Sequence, residues 1–383
     1  MGVDLICTIG PASSSPAVLQ ELLLGGMTIA RLNMSHSSHE EHQEVINALS
    51  AAAAKTGKQV KIMGDLQGPK IRLKSVQGDA VQLEEGQNFI LDQSDEPGGR
   101  ERAALDNASV LDDIQIGDTV LINDGEVKLE VTDKKPESIV TRVTVGGTIG
   151  SRKGVNVPGT RLRLPAITAK DKRDLQFLLE QGVDWIACSF IREETHLEEI
   201  REYIASLGQF KQPGLISKIE TVHAVLNFAS IMKASDGIMV ARGDLGVELP
   251  FEQIPFIQKA LLQECSRSKT YAITATHMLQ SMTEHPVPTR AEVTDIAQAV
   301  LDGSDAVMLS AESSVGKFPV QSTRVMDTVA KFAEKMSLKA KNGEDSRDCT
   351  LEMIYGQPPF DKLRKNNSSA DNNKSREGYL VSK

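Results

Sequence analysis

Residues 216–220 read ISKIE, which sets Lys218 and Glu220 two positions apart. On a strand, that spacing points both side chains to the same side. Taken alone, a lysine beside a carboxylate is most simply an ion pair. A second stretch, GIMVARGDLGVE at residues 237–248, changes the weighting. Its apolar run from Ile238 to Ala241 suits a strand buried on both faces, yet it ends on Arg242, Gly243 and Asp244. Desolvated charge there is costly unless partnered, so the end of the strand must meet water, an ion or a ligand. On consecutive strand ends, Glu220 and Asp244 could hold one hard divalent cation through oxygen ligands, with substrate oxygens and waters completing the octahedron. Gly243 would let the backbone approach a ligand, and Arg242 would brace the site. The amides of Gly243 and Asp244 could also receive an anionic group. Arg31 and Arg72 suit phosphate, because the guanidinium fork matches its geometry. Lys218 would then stabilise negative charge developing on the substrate, the kind of fixed electrostatics that carries much of phosphoryl transfer. Neither GxGxxG nor a Walker-type loop is evident, so nucleotide binding would not follow those schemes.

Such residues need elements to bring them together, and one local pattern recurs along the chain. It is a capped amphipathic helix, a glycine, then a short apolar strand ending in polar residues. Thr289 with Glu292 three positions on reads as a capping box. The helix it opens has an apolar face of Val293, Ile296, Ala297, Val300 and Leu301, with Gly303 as a left-handed stop. Ser38 with Glu41 opens another helix, and Leu175, Leu178 and Leu179 line a third before Gly182. The strand candidates are LICTIG, TIARLNMS, VKIMGDLQ, WIACSFIR, LISKIE, GIMVARGD, YAITATH and AVMLSAE. Eight strands alternating with helices predict a closed (β/α)8 TIM barrel, whose active site lies at the C-terminal strand ends. Those ends carry Arg31, Asn33, Ser35, Asp65, Arg72, Lys218, Glu220, Arg242, Asp244, Thr276, Ser310 and Glu312, which converge on one pocket. Residues 73–159 break the rhythm: Val, Thr, Gly and Asp recur with turns such as NDGE and VGGTIG, predicting a small β domain between strands three and four. At that rim it would serve as a water-excluding lid, or as a decorative or oligomerising insertion. The barrel would then occupy 1–72 and 160–335, followed by a polar, asparagine-rich, flexible tail over 336–383.

Composition sets outer bounds. A net charge of −9 argues against a protein that coats nucleic acid, though not against phosphorylated small substrates held by local basic residues. Aromatic content of 4% disfavours base-stacking surfaces. Cys7, Cys188, Cys265 and Cys349 are widely separated without metal-ligand spacing, which fits a reduced cytoplasmic protein with Cys7 and Cys188 as core thiols. No apolar stretch approaches the roughly 20 residues of a membrane span, and MGVDLICTIG does not read as a signal peptide.

The segments CTIGPAS, ARLNMSH, GDLQGPKIR, GSRKGVNVPG, ISKIE, MVARGDLGVE, ITATHML, PTRAEVTD and DGSDAVMLSAE occur in one order over roughly residues 5–325. Together they resemble the pyruvate kinases. That resemblance implies a barrel with an inserted β lid and transfer of the phosphoryl group of phosphoenolpyruvate to ADP, followed by protonation of pyruvate enolate. It implies that Arg31 and Arg72 contact phosphoryl oxygens, with Gly243, Asp244 and Thr276 also at the substrate. Lys218 would stabilise the transferring group and the enolate oxygen. Glu220 and Asp244 would bind Mg2+ or Mn2+, with a second divalent ion arriving on ADP. Thr276 and Ser310, with Glu312 nearby, would organise proton delivery, although ordinary strand-end hydroxyl bonding is their plainer reading. Lys153, with His36 and Arg72, would reach the nucleotide. Asp124 in NDGE would be the lid's acidic contribution, or simply a turn aspartate.

The family pattern bends at several points. Asn33, Ser35, Asp65 and the Leu66 carbonyl stand at positions that bind a monovalent cation in many relatives. Lys70, however, replaces the glutamate usual in potassium-dependent members. A tethered ammonium can supply the charge potassium otherwise brings, so potassium would not be required. His277 stands in place of a common glutamine, and SAESSVGK departs slightly from the usual wording. After about Phe332 the family's C-terminal α/β domain has no recognisable counterpart, which puts effector activation and the usual homo-oligomer in question. Two other readings therefore stand beside the kinase. One is a metal-dependent lyase acting on an oxo-acid, which ADP-independent turnover would reveal. The other is a folded but inactive ligand-binding remnant, which would bind phosphoenolpyruvate without turnover.

Overall fold

The computed structural model describes residues 2–208 and 210–341. Eight strands close into a parallel barrel: β1 (Asp4–Thr8), β2 (Ile29–Asn33), β3 (Lys61–Asp65), β4 (Trp185–Cys188), β5 (Gly214–Ile219), β6 (Gly237–Ala241), β7 (Tyr271–Ala275) and β8 (Ala306–Leu309). Each pairs with its neighbour in sequence, and β8 returns to β1 in the register Asp4 to Ala306 through Cys7 to Leu309. These are the eight runs expected. They form strands because they are short, apolar and covered on both faces; every residue of β6 is buried. The inner layers are built from residues such as Ile6, Ile29, Met63, Ile216, Met239 and Ile273, so the barrel is a packed core open only at its rim.

The helices begin where their caps stand. Ser38 and Thr289 each accept from the third helical N–H, and Glu41 and Glu292 bond back, over His39–Thr56 and Arg290–Leu301. Thr168 and Asp171 make a third capping box at Ala169–Glu180, whose Leu175, Leu178 and Leu179 are buried. One expectation needs correcting: Leu301 is half-exposed, whereas Ala299 is buried. Five residues beyond Ile296, Leu301 lies roughly 140° around the helix from the buried face, while Ala299 and Val300 fall close to it.

Between β3 and β4 the chain builds a separate β layer. A seven-stranded sheet runs in the order Ile71–Arg72, Gly154–Asn156, Thr119–Ile122, Val127–Lys135, Ser138–Val145, Asn88–Asp92 and Arg102–Ala104. Alternating burial along Val127–Lys135 shows one face turned inward, onto a core of its own that includes Phe89, Leu91, Val120, Leu129 and Ile139. The two strands by which the chain leaves and rejoins the barrel, Ile71–Arg72 and Gly154–Asn156, pair antiparallel with each other. Paired in this way, they make a stem at the base of the insertion. Residues 1–330 form one compact unit and 331–383 group separately. Of the flexible tail expected over 336–383, residues 336–341 instead continue the helix Pro319–Lys341, and those from 342 onward lie outside the described residues. Among the described residues, no helix is long and apolar enough to cross a membrane.

Candidate active site

The C-terminal ends of β1, β2, β5, β6, β7 and β8 surround a cavity of ≈ 390 Å³. Arg31, Asn33, His36, Lys218, Glu220, Asp244, Thr276 and Ser310 all line it, together with Thr8. Beneath them lies Asp65, at the end of β3 and 1% exposed. Its Oδ2 accepts from Arg31 Nε at 2.7 Å, and its Oδ1 is 3.3 Å from Lys218 Nζ. Arg31 is further fixed by Nη1, which donates to Thr8 Oγ1 at 2.8 Å. Burial would raise the Asp65 carboxyl, but the charges of Lys218 and Arg31 hold it below the usual range. One buried anion thus keeps two cations in place at the floor of the pocket.

Lys218 and Glu220 do point to the same side. Lys218 Nζ lies 2.9 Å from Glu220 Oε1 and donates to Ser189 Oγ at 2.7 Å. Burial acts against its charge, yet Asp65 and Glu220 outweigh it, and the ammonium is held more strongly protonated than a free lysine. Ser189 in turn donates to the Leu66 carbonyl at 2.7 Å, tying the β3 and β4 loops together under the lysine. Glu220 Oε2 accepts from the Phe190 N–H at 2.7 Å. To aim that N–H, Phe190 takes a left-handed φ of 57°, a conformation costing a non-glycine residue on the order of 1 kcal/mol. Burial, and then the nearby Asp244 charge, push the Glu220 carboxyl above its ordinary range, with Lys218 only partly offsetting them.

Asp244 lies in the first turn of the short helix Arg242–Glu248, directly after β6. Its Oδ1 accepts from Lys70 Nζ at 2.8 Å. Burial would raise this carboxyl too, but Lys70 and then Lys218 hold it below the usual range. The Lys70 ammonium therefore sits at Asp244, whereas Asp65 is taken by Arg31 and Lys218. Asn33 Oδ1 accepts from the Ser35 N–H at 3.1 Å, and the Leu66 carbonyl takes the Ser189 hydroxyl. Three of the oxygens expected around a monovalent ion, those of Asn33, Asp65 and Leu66, thus have partners within the protein.

Across the pocket, Thr276 follows β7 with a left-handed φ of 72°, and His277 follows at 57°. Arg242 holds this turn from behind: Nη2 donates to the Thr276 carbonyl at 2.7 Å, and Nη1 pairs with Asp295 at 2.7 Å. Arg242 thus braces the wall of the cavity. Gly243 is required by the same turn, since a Cβ there would meet Thr276 Cγ2 at 2.8 Å. Glu312 is fully buried, and its two oxygens accept from the backbone N–H groups of Ser310 at 2.7 Å and Leu279 at 3.0 Å. It shapes the wall through Ser310.

The remaining candidates stand apart from the pocket. Arg72 belongs to the stem, where Nη1 donates to the Arg152 carbonyl at 3.0 Å. Lys153 is exposed on the neighbouring turn. Asp124 is left-handed at φ 54°; it and Lys70 flank Gly154, whose Cβ would meet Lys70 Cε at 3.1 Å and Asp124 Oδ1 at 4.0 Å. Sequence reasoning passed over Thr8, Ser189 and Phe190, although all three stand at or just past strand ends, which is the signal that found the others.

Among the described residues, no group of three or more His, Cys, Asp or Glu is arranged as a metal site. Two carboxylates do face the cavity, and buried Glu220 Oε1 accepts no hydrogen bond; the Lys218 ammonium approaches it without bonding geometry. An oxygen-only pair of this kind fits a hard divalent cation, which would share Glu220 Oε1 with the Lys218 ammonium 2.9 Å away.

Fold and site together define a (β/α)8 barrel whose C-terminal strand ends surround a pocket lined by cations and two carboxylates. The family model for the pyruvate kinase barrel domain matches residues 2–323, and the chain belongs to the pyruvate kinase family. It is 44% identical over 333 residues to the pyruvate kinase of Geobacillus stearothermophilus, covering 86% of this chain and 57% of that one. It is 42% identical over 334 residues to that of Methylorubrum extorquens, covering 87% and 69%. A crystal structure of a pyruvate kinase from Cryptosporidium parvum superposes with a TM-score of 0.84 at 40% identity, covering 87% of this chain and 69% of that one. The chain thus spans little more than half the length of the Geobacillus relative.

Proposed function

We propose that the chain transfers the phosphoryl group of phosphoenolpyruvate to ADP, giving pyruvate and ATP, the closing step of glycolysis. The observation that carries this reading is the Lys218 ammonium, held by Asp65 in the same cavity as Arg31, Asp244 and Thr276. Arg31 meets the phosphoryl oxygens from one side and Lys218 from below, where Lys218 also stabilises the enolate oxygen left after transfer. Glu220 and Asp244 hold Mg2+ or Mn2+, which when bound offsets charge on the substrate oxygens. Thr276 and Ser310, the latter positioned by Glu312, support delivery of the proton that turns enolate into pyruvate. Arg72, His36 and Lys153 receive the nucleotide phosphates; the Arg72 side chain spends Nη1 on the Arg152 carbonyl and keeps the other donors of its fork for phosphate.

Potassium is not required, because the Lys70 ammonium already places a fixed positive charge at Asp244. A cytoplasmic setting is supported by Cys7, Cys188 and Cys265, all free and buried. The test is pyruvate formation from phosphoenolpyruvate and ADP with Mg2+, with and without potassium. Turnover in both buffers supports the whole reading; turnover only with potassium keeps the kinase and rejects the role of Lys70. Phosphoenolpyruvate binding by folded, Mg2+-supplied protein without turnover identifies a ligand-binding remnant instead.

A further inference from the structure

Outside the catalytic cavity, positive charge also gathers in a second cleft. The segment leading from the lid stem back to the barrel and the loops after β4 and β5 enclose a cleft of ≈ 720 Å³. Its basic groups include Arg161, Arg163, Arg192 and His223, and the acids on its walls are Asp113 and Glu193. Asp113 is committed to Arg163, accepting from Nε at 2.6 Å and from the backbone N–H at 2.8 Å. Glu193 is divided between Arg161 at 3.4 Å and His196 at 3.7 Å, both long for strong pairs.

Arg192 is the cation left over. Its guanidinium makes one hydrogen bond, from Nη2 to the Leu164 carbonyl at 2.7 Å, and among the described residues it has no carboxylate at ion-pair distance. Four of its five N–H groups thus lack a protein acceptor among the described residues, although the residue is half-buried. Burial, followed by the charges of Arg192 and Arg161, holds His223 below its ordinary range, so the cluster's cations already repel one another. Leu162 and Leu164 give the cleft an apolar wall, which continues past Val155 and Val157 into an adjoining pocket.

We propose that this cleft binds a small phosphomonoester. The phosphate sits on the free fork of Arg192 with Arg161 beside it, and the carbon skeleton lies on Leu162 and Leu164. A guanidinium with unused parallel donors matches phosphate geometry, a surplus of positive charge favours a dianion, and the volume falls within the range of small-molecule sites. The site is distinct from the catalytic cavity and does not depend on the reaction assigned there. It is nonetheless close in sequence to the groups that fix Glu220. Arg192 lies two residues past Phe190, whose N–H holds that carboxylate, and His223 lies three past Glu220 itself.

The test is isothermal titration of glycerol 3-phosphate into the full chain carrying Lys218→Met, which weakens phosphate binding in the catalytic cavity. Arg192→Gln in that background is expected to weaken binding at least about tenfold, and Arg161→Gln, at an exposed position, about threefold. Arg192→Lys, which keeps the charge and loses the fork, should fall between the parent and Arg192→Gln. Thermal unfolding of each variant establishes that it is folded. If Arg192→Gln does not fold, the Arg161→Gln and Arg192→Lys titrations decide alone. Affinity unchanged in the folded variants, no binding to the parent, or tighter binding of glycerate than of glycerol 3-phosphate would each overturn the assignment.

Discussion

Replacing Gly243 by alanine tests whether the Thr276 turn is held as tightly as the site requires. The added Cβ would stand 2.8 Å from Thr276 Cγ2, while Thr276 Cβ and Oγ1 are both at 3.7 Å. The clash is therefore with one methyl group and is about 0.6 Å short of ordinary contact. Thr276 has little freedom to yield, since it is already left-handed and Arg242 grips its carbonyl from behind. Two effects on stability oppose each other. Alanine in the helix Arg242–Glu248 contributes about 1 kcal/mol over glycine, whereas overpacking costs about 1–3 kcal/mol. The net loss is roughly 0–2 kcal/mol, small enough to leave the protein folded. Activity is the sensitive readout, because a displacement approaching 1 Å at a catalytic group costs up to about 100-fold in rate. The expected result in a pyruvate-formation assay is a 10- to 100-fold fall in kcat, within that estimate, and a small fall in Tm. Combining Gly243→Ala with Thr276→Ser removes the offending methyl and keeps the hydroxyl, so most of the rate should return. Full activity in the single variant, or a double variant no better than the single, would show that the contact does not control Thr276.

Three further outcomes are expected. Lys218→Met should lower phosphoryl transfer by roughly 10²–10³-fold or more while Mn2+ binding, followed by electron paramagnetic resonance, stays largely intact; near-normal transfer removes the lysine from the mechanism. Lys70→Glu places a carboxylate beside Asp244 in place of the ammonium now 2.8 Å away, so activity should come to depend on potassium, and an unchanged ion response refutes the role given to Lys70. Burial, then the Arg192 charge, depress His196 to about 4, so its contribution to stability is complete above the unfolded value of about 6.5 and is lost as pH falls from there to about 4, amounting to about 3 kcal/mol at most. Denaturant titrations of His196→Gln should show a flatter acid limb over that window, and an identical limb would exclude His196 as its source.

The barrel was legible because its strands are short, continuous apolar runs, and a chain buried on both faces has few other ways to satisfy its backbone. The same logic located Lys218, Glu220, Asp244, Thr276 and Ser310, each at or just beyond a strand end. Partnership was less legible. That Lys70 would reach Asp244, across 174 positions, depends on how the lid stem leaves the rim, and no local pattern encodes that. Arg72 shows the same limit: it stands a few residues past a strand end, yet pairing with Gly154–Asn156 carries it into the stem and onto the Arg152 carbonyl. Glu312 was read beside the chemistry because it is acidic and near Ser310. Only the folded loops show both its oxygens spent on backbone N–H groups.

Asp65 shows why position alone understates a residue. By sequence it was one of several oxygens around a possible monovalent ion. In the fold it is a buried anion whose two oxygens face different cations, Arg31 and Lys218, on different strands. Among the described residues Arg31 has no other carboxylate, and Lys218 shares Asp65 with Glu220, so the buried anion supplies the charge that a desolvated cation needs to be tolerated. The pairing leaves each cation free to act: Arg31 keeps Nη2 without a protein acceptor among the described residues, since its bonds run from Nε and Nη1. An anionic substrate entering between Arg31 and Lys218 therefore meets positive charge already fixed in place, and the work of gathering that charge was done when the barrel folded.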